Sequence, residues 1–64
     1  MAHTADYCRE RAAAAEQAAD EASLSNVRQR ELRARETWLE MAHRADRTAA
    51  MRDRLAAEKA AREV

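Results

Sequence analysis

This chain has no glycine, no proline and no phenylalanine in its 64 residues. Glycine and proline punctuate most folds, so their absence excludes a turn-rich architecture and points to nearly continuous helix. It also excludes the glycine-rich loops that cradle phosphates. The single cysteine, Cys8, cannot form an internal disulfide, and a reducing cytoplasm is the expected setting. One tryptophan and one tyrosine are the only aromatics, too few for a base-stacking platform. No apolar run approaches the roughly 20 residues of a membrane span, so no membrane association is expected. The opening MAHTADYCRE lacks the basic and apolar regions of a secretory leader. Net charge is absent too, because 12 acidic residues balance 12 basic ones. That balance argues against a dedicated nucleic-acid binder, which carries a basic excess.

What the chain does have is alanine, 18 residues of the best helix former. The only weak point in helix propensity is Ser23-Leu24-Ser25-Asn26, residue types that favour caps and turns. Residues 1–64 therefore read as a single all-α helical hairpin. A first helix is predicted over about 4–22, a turn over 23–25 and a longer second helix over about 26–62. Ser25 is the predicted N-cap of the second helix, with Ser23 as the alternative. So short a connection implies antiparallel neighbours. The competing architecture is one uninterrupted helix of roughly 95 Å at 1.5 Å per residue.

In the first helix Cys8, Ala12, Ala15, Ala19 and Ala22 recur at the period of one helical face. The second helix fits a 3.5-residue seam through Leu24, Val27, Ala34, Trp38, Met41, Ala45, Thr48 and Leu55, with Met51 beside it. Folding the hairpin about residues 24–25 sets Ala22 opposite Val27, Ala15 opposite Ala34 and Cys8 opposite Met41, with a small residue of the first helix in every pair. The first helix then ends near residue 45 of the second. About sixteen residues are left over, roughly 24 Å of helix carrying Met51 and Leu55. A second copy is the simplest cover, giving a homodimer with a four-helix bundle. The interface expected is Trp38, Leu39, Met41, Ala45, Met51 and Leu55.

Residues 1–22 carry a net charge of −3 and residues 23–64 a net charge of +3, which favours their pairing. Asp20 and Glu21 end the first helix while Arg28 and Arg30 begin the second, all against the helix macrodipole. Mutual pairing across the turn is the expected compensation. The sharper alternative is a patch of Arg28, Arg30, Arg33 and Arg35 that meets an acidic partner or a polyanion. The i,i+4 pairs Glu31–Arg35, Glu40–Arg44, Arg54–Glu58, Glu58–Arg62 and Lys59–Glu63 read as ordinary surface support.

No site chemistry accompanies these patterns. His3, Cys8 and His43 have no metal-ligand spacing, so neither a metal nor another cofactor is expected. No nucleophile–base pair is visible, and an enzyme is not expected. Cys8 reads as a small buried hydrophobe rather than a reactive thiol.

Tyr7-Cys8-Arg9-Glu10-Arg11-Ala12, Val27-Arg28-Gln29-Arg30-Glu31-Leu32 and Thr37-Trp38-Leu39-Glu40-Met41-Ala42 carry a resemblance that spans residues 7–47. Over this stretch the chain resembles a group of short alphaproteobacterial Ala/Glu/Arg-rich helical-hairpin proteins of unknown function. The resemblance implies a bacterial cytoplasmic helical hairpin and brings no functional residue with it. The function expected is a non-enzymatic protein–protein interaction module, a small homodimeric accessory or regulatory protein. The alternative is a small nucleic-acid-associated protein that uses the arginines of residues 28–35.

Overall fold

The computed structural model describes residues 4–63, and these form two α-helices with no strand among the described residues. Helix α1 is Ala5–Glu21 and helix α2 is Ser25–Arg62. The molecule measures 61 × 19 × 13 Å. That length matches α2 alone, 38 residues at about 1.5 Å each, and is far short of a single 64-residue helix.

Thr4 starts α1. Its extended backbone (φ −72°, ψ 159°) lets its hydroxyl accept a hydrogen bond from the Tyr7 N–H at 3.1 Å. One of the four unpaired N–H groups of the first turn is thereby satisfied. Asp6 in the same turn suits the positive end of the helix dipole. Helix α1 stops where Ala22 becomes extended (φ −73°, ψ 129°) and donates its N–H to the Ala19 carbonyl. No described residue takes a positive φ, so this link needs no glycine.

Ser25 is not the N-cap of α2. Leu24 holds that place (φ −102°, ψ 135°) with no side-chain cap, and Ser25 is already helical. The turn thus lies one residue earlier than predicted, and a leucine sits where an oxygen would satisfy the helix end. Leu24 is also 61% exposed, so it does not join the predicted seam. Leu24→Asp is expected to add about 1 kcal/mol of stability by supplying the missing cap. A thermal melt of the variant checks this, and a lower midpoint would contradict it.

The two helices pack antiparallel, as the cross-pairs of Arg9 with Asp46 and of Glu16 with Arg35 require. The core is a small-residue seam: Cys8, Ala12, Ala15 and Ala19 on α1, with Ala42 on α2. The spacing of four, three and four residues keeps the α1 members on one face. Side chains this small let the helix axes approach closely. Around the seam, Val27, Ala34, Trp38, Met41 and Ala45 of α2 are half-buried. Arg11, Ala15 and Ala18 of α1 share a cleft with Trp38, Ala34 and Glu31 of α2, the register expected from the sequence. The free thiol of Cys8 is buried at the end of this seam nearest the start of α1.

Beside Thr4 and Ala5, α2 has reached Ala45 and Ala49. From there α2 runs on alone to Arg62, roughly 20 Å beyond the start of α1. Every residue from 46 to 63 is exposed. Lys59 and Arg62 in the last turn suit the negative end of the dipole.

Candidate functional site

The six candidate interface residues divide into three groups along α2. Trp38, Met41 and Ala45 lie where α1 passes and are half-buried. Met51 and Leu55 lie beyond α1 and are 48% and 54% exposed. Leu39 stands at 37% exposure. At about 100° per residue it lies roughly 160° around the helix from Leu55, so these two cannot share one contact.

Trp38 is engaged within the hairpin. The Tyr7 ring meets it edge-on at 5.8 Å and 80°, and the Arg11 guanidinium carbon stands 5.9 Å from its ring centroid. These are favourable quadrupole and cation–π arrangements that hold the open end of α1 against α2. The sequence pairing of Tyr7 and Arg11 with Trp38 becomes legible only once the register is known.

Met51 and Leu55 belong to the lone stretch of α2. Thr48, Met51, Arg52 and Leu55, with Arg47 beside them, line one open groove. Arg47, Ala50, Met51 and Arg54 line a second. Each foursome has the spacing i, i+3, i+4, i+7, the hole that receives a side chain in helix–helix packing. Met51 is the shared wall, and the Arg54 guanidinium donates to its thioether sulfur at 3.8 Å. The rims are charged and the floors apolar, the division found at helix-docking faces.

The charge pattern departs from expectation. No ion pair forms between Asp20 or Glu21 and Arg28 or Arg30 among the described residues; Glu21 instead accepts from the Gln17 amide at 3.1 Å. Residues two apart on a helix face different directions, so Arg28 and Arg30 cannot both turn toward the end of α1. Arg30 approaches only its neighbour Glu31, at 3.9 Å. Reversing Arg28 and Arg30 to glutamate is therefore expected to leave stability unchanged or to raise it by tenths of a kcal/mol per site, through the dipole. A melt at low salt tests this, and a clear loss would mean the cross-turn pairs form.

The same geometry divides the four-arginine stretch. Arg28 and Arg35 share one side of α2, while Arg30 and Arg33 share another, roughly 140–160° away. Arg35 turns toward α1, where it stands 3.6 Å from Glu16. Its Nε is buried without a hydrogen-bond partner. The predicted i,i+4 pairs do not close to ion-pair distance among the described residues. The charge complementarity of the two helices is instead expressed in Glu16–Arg35 and in Arg9–Asp46 at 3.1 Å. Arg9 also binds Asp6 at 2.6 Å. That hydrogen bond is the main reason the Arg9 pKa rises above its ordinary value; desolvation opposes it and Asp46 adds to it. Arg9 is charged throughout the accessible pH range either way, so this pairing is no pH switch.

Among the described residues no group of three or more His, Cys, Asp or Glu could hold a metal ion. His3 lies outside the described residues, and His43 is exposed. No described helix is long and apolar enough to cross a membrane. No protein-family model matches the chain, and neither a curated protein nor a solved structure is significantly similar to it.

Proposed function

We propose that this chain is a non-enzymatic protein–protein interaction module that self-associates as a homodimer, bringing four helices together, and acts as a small accessory or regulatory subunit. One observation carries the reading. The most exposed large apolar side chains of α2 beyond its link to α1, Met51 and Leu55, stand on the stretch that runs on past the start of α1. Water-exposed apolar surface is costly, at about 25 cal/mol for each Å² that could be buried. The hairpin core is also thin, since the buried residues among those described are four alanines and a cysteine. Small domains with so little core gain most from association.

The nucleic-acid alternative has less support, because the arginines of residues 28–35 point to two sides of α2 and Arg35 is engaged by Glu16. Thermal unfolding at several protein concentrations tests the self-association. A midpoint that rises with concentration supports it, because binding that favours the folded state makes the midpoint concentration-dependent. A midpoint that stays constant contradicts it.

A further inference from the structure

We infer that the lone stretch of α2 docks an acidic amphipathic helix of another protein, whose apolar side chains seat beside Met51 and whose carboxylates meet the arginines around it. The inference rests on the reading of the chain as an interaction module, and it holds whether or not the free chain is a dimer. It starts from the two grooves. Thr48, Met51, Arg52 and Leu55, with Arg47 beside them, line one, and Arg47, Ala50, Met51 and Arg54 line the other. Each is a four-residue hole of the kind that takes a side chain from a facing helix. Their apolar floor is short, about two turns from Thr48 to Leu55. Every charged residue that lines them is an arginine. None of Arg47, Arg52 and Arg54 forms an ion pair among the described residues.

The surrounding charge says what kind of helix fits. Residues 41–62 hold six basic side chains and three acidic ones. At about 100° per residue, Arg44, Arg47, Arg54 and Arg62 project within roughly 60° of Met51, and Glu58 is the one acid of that stretch among them. Glu40 joins the same face one turn before Arg44. Arg52 and Lys59 border it on the Leu55 side, roughly 80–100° from Met51, while Asp46 and Asp53 lie roughly 140–160° away, on the back of the helix. The face is therefore basic on both rims and at both ends of its apolar floor. A second copy would bring the same excess of bases to the contact, so charge opposes self-pairing here and favours an acidic partner. A helix with carboxylates around a short apolar patch gives the arginines partners while it buries Met51 and Leu55. Thr4 and Ala5 of α1 stand beside Thr48, Ala49 and Arg52. They line neither groove, so the approach to Met51 and Leu55 is open. A second copy and the acidic helix would cover the same stretch, so binding of the acidic helix separates any dimer formed there.

Titration of three labelled helical peptides with the full chain, read by fluorescence anisotropy, tests this. Each peptide has about 20 residues, long enough for an isolated helix to form. The first carries a short leucine patch flanked by glutamates, the second the same leucines flanked by lysines, and the third the same glutamates with serines in place of the leucines. The first is expected to bind at least about tenfold more tightly than the other two, and less tightly as salt is added. The double variant R47E/R52E should lose at least about tenfold of that affinity, whereas R28E/R30E, the same charge change far along α2, should stay within about twofold. Circular dichroism of each variant establishes that the hairpin is intact. Equal binding of the lysine peptide would overturn the acidic partner. Equal binding of the serine peptide would make the face a general polyanion surface, open to nucleic acid, and would overturn the docked helix. Absence of binding, or equal losses in the two double variants, would overturn the site. The mass of the chain without peptide decides the self-association separately: a single-chain mass there with tight binding of the first peptide would leave this inference standing and the homodimer overturned.

Discussion

Leu55→Asp is expected to raise the dimer dissociation constant by at least about tenfold while leaving the hairpin helical. Leu55 is 54% exposed in the single chain and lies beyond the start of α1, so the hairpin does not depend on it. In the dimer its side chain would be buried, and a leucine is worth about 1.5–3 kcal/mol on full burial. The variant forfeits that burial and puts a carboxylate, unpaired, in its place. A tenfold loss corresponds to only about 1.4 kcal/mol, so the estimate is a lower bound. Sedimentation of the variant beside the wild type measures the effect, and equal dissociation constants would contradict the assignment of the lone stretch as the contact.

Ala12→Leu carries the second large effect, and it acts on the hairpin itself. Ala12 is 3% exposed, between Cys8 at 1% and Ala15 at 7% on the buried face of α1. A leucine there has no space unless the helices move apart. Overpacking of this kind costs about 1–3 kcal/mol. In a hairpin whose core is four alanines and one cysteine, separating the helices also weakens the Tyr7–Trp38 and Arg11–Trp38 contacts one turn away. The midpoint should fall by roughly 4–8 °C for each kcal/mol lost in a chain of this size. Ala13→Leu is the control, because Ala13 is exposed and the change should be nearly silent. Equal melting of the two variants would mean that the alanine face does not form the helix–helix contact.

The alanine face was legible in the sequence because side-chain size and spacing carry the same message. Cys8, Ala12, Ala15 and Ala19 are small and recur at helical period, and no competing apolar face exists on α1. The register with Ala34 was legible too, since a short link leaves few ways to align two helices. The start of α2 was not. Ser25 and Asn26 favour a cap, yet the chain turns one residue earlier and leaves Leu24 there uncapped. Local preference does not set the turn position here, and the uncapped end is a cost that a cap would remove. The expected pairing of Asp20 and Glu21 with Arg28 and Arg30 failed for a reason available from the sequence itself. Residues two apart on a helix do not share a face. The ion pairs that do cross between the helices, Arg9–Asp46 and Glu16–Arg35, join residues displaced from the level register, which a long arginine can span. Spacing alone does not reveal such pairs. The Met51–Leu55 stretch was visible as apolar residues left over, but its two packing holes needed the helix built in three dimensions.

Sedimentation equilibrium of the unmodified chain across a dilution series, from hundreds of micromolar to low micromolar, tests the central claim most directly. The account predicts a mass of about twice the 7.3 kDa chain at the upper end, giving way to the single chain on dilution. A single-chain mass at every concentration would contradict it.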